Sequence, residues 1–305
     1  MFDFCVKRAT LPTSGGTAPA GVLGVPPAGR RRLTGAFATL CAMAVSTLPP
    51  LPTALSARAR ALRPAERLCH AVGLLLVLSG LAHLIVFAVD GGPWDGPVSW
   101  RKPVTFGLSF GVTLIAIAWV TSYLHVAERP RSALLAVFAA DCVVEVGGIT
   151  LQAWRRVPSH LNMQTPFDTA VSMTLAVGGG VLVGLLTVFA VAAFRHRPAG
   201  PAGMALAVRS GFAVLLVALA SGAAMIARGV VLTRTGHQQE AYRSTAPLKP
   251  LHAVSLHAVL VLPALARLLS RTPWSEPVRA RVLTGAVIAY ATAVVATGVW
   301  ATLTA

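Results

Sequence analysis

The sequence predicts an all-α, polytopic transmembrane helical bundle of about seven spans, and two observations support that prediction. The first is composition: 55% of the 305 residues are hydrophobic and 12% are charged, whereas a soluble domain carries about 25% charged residues. The second is length, because largely apolar windows recur that can each cross about 30 Å of hydrocarbon. We therefore expect a multi-pass protein of the cell membrane, surrounded by lipid bilayer.

Residues 1–64 differ in character from the rest of the chain. They are rich in Pro, Gly, Ala and Arg, as in TSGGTAPAGVLGVPPAGRRR, and show no sustained period. Such a segment cannot bury enough apolar surface to fold, so we expect a disordered N-terminal extension. Its apolar run LTGAFATLCAMAV is too short to span a bilayer. Residues 65–305 form the predicted seven-helix transmembrane domain.

The distribution of basic residues predicts how the spans are oriented. Of the 26 Lys and Arg residues, 18 fall in the N-terminal segment and the loops after even-numbered spans, and 8 after odd-numbered spans. Cytoplasmic loops carry the excess of Lys and Arg, so the N-terminus is predicted inside and the C-terminus outside. The predicted spans are Leu68–Val89, Pro103–Leu124, Ala133–Trp154, Thr169–Phe194, Ala205–Ala227, Leu251–Leu269 and Val282–Leu303.

The net charge of +16 raises the question of a nucleic-acid partner. Apart from the run Arg30, Arg31, Arg32, the arginines of the chain stand singly and in pairs between apolar runs, and no stripe alternates basic with aromatic residues. Positive-inside topology accounts for this pattern better than nucleic-acid binding does. We therefore expect no nucleic acid among the partners.

The third predicted span, within AVFAADCVVEVGGITLQAWRR, carries two acids. Asp141 and Glu145 are four residues apart, and Gly148, Gln152 and Arg156 continue the same three- and four-residue steps. Residues at these steps share one helix face. The rest of the helix is apolar, so this face should look into the bundle, with Glu145 near the bilayer midplane. Two close carboxylates in low dielectric cannot both ionise cheaply, so we expect at least one to be neutral.

Polar residues also gather in the three loops predicted to lie outside: DGGPWDGPVSWRKP, RRVPSHLNMQTPFD and RGVVLTRTGHQQEAYRSTAPLKPLH. Trp and Arg favour the headgroup zone, so an interfacial belt explains any one of these loops. That all three share one side favours a binding site there. The candidate substrate-binding residues are Trp100, Arg101, Gln152, Arg156, His160, Asn162, Arg228 and His257.

Asp141 and Glu145 are the candidate catalytic residues. A neutral carboxylic acid in an apolar chamber can donate a proton, as proton-initiated cyclisation of a prenyl chain requires. Neither the DxDD motif of soluble class II cyclases nor an Asp-rich, magnesium-binding motif of the diphosphate-ionising enzymes is present. A diphosphate-ionising mechanism is therefore not expected, and we expect no metal and no cofactor. The expected function is an integral-membrane enzyme that acts on a lipophilic, prenylated or terpenoid small molecule.

Three stretches, GPWDGPVSWRKPVTFGLSFG, VEVGGITLQAWRRVPSHLNMQTPFD and LKPLHAVSLHAVLVLP, resemble a bacterial family of mostly uncharacterised multi-pass proteins. In size, topology and acid placement the chain is also similar to the small integral-membrane terpene cyclases of actinobacterial indole-terpenoid pathways. That second resemblance implies isomerisation of a prenylated small molecule, in biosynthesis, without a metal. No catalytic residue is carried over from it.

Three other interpretations remain open at this stage. Asp141 and Glu145 could be interhelical hydrogen-bonding groups, with Thr105, Ser109, Thr113 and Ser221 as candidate partners. A haem held by His83 and His257, or a quinone-linked redox role, would leave the two acids without a function. A proton-coupled transporter would use midplane carboxylates, although the seven spans show no inverted repeat.

Overall fold

The computed structural model describes residues 62–304, and every regular element in this range is helical. The predicted N-terminal extension lies outside the described residues up to position 61. Proline occupies the first or second position of four helices, where its missing N–H is not needed. The helices are α1 (Pro64–Asp90), α2 (Arg101–Val120), α3 (Glu128–Trp154), α4 (Pro166–Arg195), α5 (Met204–Arg234), α6 (Gln238–Arg243), α7 (Lys249–Leu256), α8 (Ala258–Leu269) and α9 (Glu276–Leu303).

Among residues 62–304, seven helical segments are long and apolar enough to cross a membrane, which confirms the predicted fold class of about seven spans. The second segment continues from α2 through a 3₁₀ turn to Tyr123. The sixth consists of two helices, α7 and α8, which meet at His257. α8 continues through Pro263, and the break between α7 and α8 lies six residues before this proline. The sidedness of the termini stays a prediction.

Helices α1 and α2 pack with their backbones in direct contact. A Cβ atom on Gly107 would lie 2.9 Å from the Cα of Gly80, and one on Gly111 would meet the carbonyl oxygen of Gly73. Gly107 and Gly111, four residues apart on α2, thus allow the close approach of α1. Small residues serve this purpose in membranes because helix association there depends on van der Waals packing.

The loops divide between two ends of the bundle. We call the end that carries residues 91–100, 155–165 and 235–248 the polar-loop end. Its loops are joined by hydrogen bonds, since Arg156 Nη2 donates to Asp90 Oδ2 at 2.8 Å and Gln238 Nε2 donates to the Leu161 carbonyl at 2.8 Å. At the opposite end, the Ala199 N–H donates to the Tyr123 carbonyl at 2.8 Å. Of the ten candidate site residues, Asp141 and Glu145 lie in the middle of α3. The other eight lie at the polar-loop end or in the half of the bundle next to it.

A buried ion pair fixes α1, α2 and α3 at the opposite end. Arg131 is 1% exposed, and its Nη2 donates to Glu66 Oε1 at 2.7 Å and to the Ala118 carbonyl at 2.8 Å. The second carboxylate oxygen of Glu66 accepts from the Arg63 N–H at 3.1 Å, and Arg131 Nε donates to Thr121 Oγ1 at 3.3 Å. The charge count placed Arg131 in a loop; it lies inside α3 and crosslinks three helices.

Candidate functional site

Asp141 and Glu145 lie in the middle of α3 and face α4. Their exposed fractions are 9% and 3%, so the prediction that this face looks into the protein is confirmed. A Cβ atom built on Gly178 of α4 would stand 2.9 Å from Asp141 Oδ1 and would collide with Glu145 Oε1. Both oxygens are within 3.0 Å of that one point, so they are less than 6.0 Å apart. The two acids therefore form a pair, which we call the carboxylate pair.

The carboxylate pair lacks the hydrogen bonds expected of purely structural polar groups. Asp141 Oδ2 and Glu145 Oε1 are buried and have no partner within residues 62–304. Two of the four hydroxyls proposed as partners bond elsewhere: Thr105 donates to the Arg101 carbonyl at 2.8 Å, and Ser221 to the Ala218 carbonyl at 2.8 Å. Buried polar groups without partners are costly and uncommon. The interhelical hydrogen-bond interpretation therefore finds no partner in the described part of the chain.

The stripe predicted on α3 continues along the α3–α4 interface as far as Gln152. A Cβ on Gly148 would lie 2.9 Å from Leu175 Cδ2 of α4. Gln152 is fully buried, and its Nε2 donates to Asp168 Oδ1 at 3.0 Å. Four of the five predicted stripe positions thus face one helix.

Asp168 organises the polar-loop end of this interface, and the sequence reasoning missed it. It accepts from Gln152, from Arg155 Nη1 at 2.5 Å and from Thr165 Oγ1 at 2.7 Å. Its own N–H donates to Thr165 Oγ1 at 3.1 Å, which caps α4. A Thr three residues before an acid, with Pro between them at the helix start, is a sequence signal for such a cap. Gln152 is therefore held as part of a buried network.

Arg156 leaves the stripe because α3 ends at Trp154. Arg156 has a positive φ of 58°, which turns its side chain to Asp90 at the end of α1. Trp100 donates its indole N–H to the same Asp90 oxygen at 3.0 Å. Trp154, which packs on Trp100 with ring centroids 5.1 Å apart, lies about 200° around α3 from Gln152. Trp100 and Arg156 thus share a site on the side of α3 that faces away from the carboxylate pair.

His160 and Asn162 lie in the loop between α3 and α4. His160 Nδ1 is 2.9 Å from Ser159 Oγ, and its ring lies 5.9 Å from that of Phe106. Burial lowers the pKa of His160 to about 3, with added repulsion from the Lys102 ammonium, so the imidazole is neutral at physiological pH. Asn162 is fully buried and shapes the loop, since its N–H donates to Ser172 Oγ at 3.1 Å.

Within residues 62–304, the remaining three candidate residues make no hydrogen bond or ion pair with the other candidates. Arg101 forms an ion pair with Asp95, Nε to Oδ1 at 3.1 Å. Arg228 lies within α5, which continues beyond the predicted span, and it is exposed. His257 stands at the break between α7 and α8, with Nδ1 3.1 Å from the Ala253 carbonyl. The ten candidate residues therefore do not converge on one site.

The histidines bear on the haem interpretation. His83 Nδ1 is 2.7 Å from the Ser79 carbonyl, and its Nε2 accepts from Trp154 Nε1 at 3.1 Å. Both ring nitrogens are occupied in this arrangement, so His83 would have to give up a hydrogen bond to bind iron. Across residues 62–304, no three His, Cys, Asp or Glu side chains are grouped so as to hold a metal ion.

Comparisons with protein-family models, with curated proteins and with solved structures give no match to this chain. The two resemblances drawn from the sequence therefore remain predictions.

Proposed function

We propose that this protein is an integral-membrane enzyme of the cell membrane that cyclises a lipophilic, prenylated small molecule by proton transfer from the carboxylate pair. The observation that supports the proposal most is the burial of Asp141 and Glu145 together, each with an unpartnered oxygen, against the bare backbone of Gly178. Ionisable groups inside a membrane are costly, by about 3 kcal/mol or more at the helix centre, and commonly functional.

The proposed reaction needs one proton on the pair. Two carboxyls less than 6.0 Å apart in low dielectric repel each other when both are charged, which favours sharing one proton. The neutral carboxyl transfers its proton to an alkene carbon; a C–H bond forms and a carbocation results. A second alkene of the same chain attacks the cation and closes a ring. Loss of a proton to the carboxylate regenerates the acid, so the product is an isomer of the substrate.

The surroundings of the pair suit a substrate that arrives from the lipid. A Cβ atom on Gly147 of α3, or on Gly179 or Gly180 of α4, would meet nothing within 4 Å. These glycines leave open space at positions within two residues of Glu145 or Gly178. Val144 and Val177 beside them are 45% and 64% exposed and would lie against acyl chains. We infer that an apolar chain reaches the pair laterally from the lipid, without crossing a polar layer.

The test is turnover of prenylated aromatic compounds by the full chain in lipid nanodiscs made up in D₂O. We expect a cyclised isomer that carries one carbon-bound deuterium, because the initiating proton comes from an exchangeable acid. Glu145→Gln and Asp141→Asn should each lower the rate by about 10²-fold or more, the usual contribution of a general acid.

Glu240→Gln is the matched control, because Glu240 is an exposed carboxylate on α6, and its rate should equal that of the unmodified protein. Full activity in both pair variants, or a product without deuterium, would contradict the proposal.

A proton-coupled transporter is the second candidate, and the glycine run of α4 favours it. Gly178 contacts both carboxylates, while Gly179 and Gly180 have open space, so protonation of the pair could shift α4 directly. This function predicts substrate-dependent proton uptake into proteoliposomes with no chemical change in the substrate. A deuterated isomer in the first experiment would exclude it as the sole activity.

A further inference from the structure

A groove at the polar-loop end is separate from the carboxylate pair and has its own chemistry. It lies where α1 ends, α2 begins and α3 ends, and its volume is about 320 Å³. That volume falls within the range of small-molecule sites. We call it the interfacial groove. It is lined by Ile85, Val86, Val89, Asp90, Trp100, Trp154 and Arg156.

The ion pair in the interfacial groove retains hydrogen-bonding capacity on both partners. Arg156 Nη2 donates to Asp90 Oδ2, which also accepts from Trp100. The side chains of Arg156 and Asp90 are 61% and 40% exposed. Within residues 62–304 the other N–H groups of Arg156 and the second oxygen of Asp90 make no hydrogen bond. The groove thus presents a cationic donor beside an anionic acceptor.

The interfacial groove has aromatic side chains beside the charges and aliphatic side chains along the last turns of α1. Trp100 and Trp154 meet edge to face at 5.1 Å, and the Arg156 guanidinium lies 5.6 Å from the Trp100 ring centroid. The Trp154 indole is held by its hydrogen bond to His83. Ile85 and Val89 on α1 are 66% and 85% exposed. Charged and indole side chains favour the headgroup zone of a membrane, and exposed aliphatic side chains favour the acyl chains. The groove therefore offers contacts to both parts of a lipid.

We propose that the interfacial groove binds one phospholipid whose headgroup is an ammonium–phosphate zwitterion. The phosphate would accept from Arg156, as guanidinium groups favour. The ammonium would approach Asp90 and the face of Trp154, which combines ion pairing with a cation–π contact. An acyl chain would lie along Ile85, Val86 and Val89. An anionic headgroup without an ammonium satisfies Arg156 alone and meets the Asp90 charge, so it should bind less well.

The test uses the full chain in detergent, equilibrated with equal amounts of phosphatidylethanolamine and phosphatidylglycerol, with retained lipid measured by native mass spectrometry. We expect phosphatidylethanolamine to be enriched roughly fivefold in the bound lipid. Asp90→Asn keeps an acceptor for Trp100 and Arg156 but removes the negative charge. This variant should lose the enrichment and retain phosphatidylglycerol at least as well.

Arg234→Gln is the control, because Arg234 is an exposed arginine at the same end of the bundle, and it should keep the wild-type lipid ratio. Retention of both lipids in the input ratio by the unmodified chain would overturn the proposal. The same ratio in Asp90→Asn as in the unmodified chain would overturn it as well. Neither result depends on enzymatic turnover, so this proposal and the proposed function can fail separately.

Discussion

Two sets of buried carboxylates, Glu66 at one end of the bundle and the Asp141–Glu145 pair in its middle, have opposite surroundings. Both are largely excluded from solvent, at 8%, 9% and 3% exposed. Glu66 has an arginine at 2.7 Å and a backbone N–H at 3.1 Å. The pair has no cation beside it in the described residues, and each of its members keeps an unpartnered oxygen. The two sets therefore share burial and differ in their partners: Glu66 is paired, whereas Asp141 and Glu145 are not paired within residues 62–304.

The largest expected effect on stability comes from breaking the buried ion pair between Arg131 and Glu66. Arg131→Met leaves the Glu66 charge buried without its cation, so we expect the free energy of unfolding to fall by about 3–5 kcal/mol. Unfolding in mixed micelles with increasing SDS measures this change. Arg129→Met is the control, because Arg129 lies two residues away and is exposed, and it should shift stability by about 0.5 kcal/mol or less. Equal losses in both variants would show that the ion pair contributes nothing specific.

An intermediate effect is expected at Gly178, where the carboxylate pair meets α4. Gly178→Ala introduces a Cβ onto two carboxylate oxygens, so the unfolding free energy should fall by about 1–3 kcal/mol and turnover should fall with it. Gly180→Ala places the same methyl group in open space on the same helix. It should be neutral, or stabilising by up to about 1 kcal/mol through helix propensity. Equal unfolding free energies in the two variants would contradict the close contact between Gly178 and the carboxylate pair.

The smallest stability effect is expected from the pair itself. Glu145→Gln removes a carboxylate that has no ion-pair partner, so the unfolding free energy should change by less than about 1 kcal/mol. Glu66→Gln weakens the bond to Arg131 and should cost more. The same SDS titration compares the two variants. A large loss of stability in Glu145→Gln would place the pair with Glu66 as a structural feature and would weaken the proposed function.

The sequence was sufficient to predict the seven spans and the face of α3 that meets α4. Lipid offers no hydrogen bonds to a bare backbone, so each apolar stretch has to form a helix, and the seven spans could be predicted from hydropathy. The periodicity of α3 placed Asp141, Glu145 and Gln152 on one face, and all three meet α4. The sequence could not show that Gln152 belongs to a network with Asp168 and Arg155, because that depends on how α4 begins against α3.

What the sequence by itself determined is therefore the local and periodic part of this protein: an all-helical membrane bundle, its seven spans, and an inward-facing pair of acids. The tertiary structure alone decided which charges meet. Arg131 reaches Glu66 across 65 positions of chain, and Arg156 reaches Asp90 across 66. Arg156 adopts the left-handed backbone conformation, so its side chain does not lie on the α3 face of Asp141 and Glu145 as predicted. Helical periodicity fixes directions within one helix, whereas ion pairs and grooves depend on the packing of several helices.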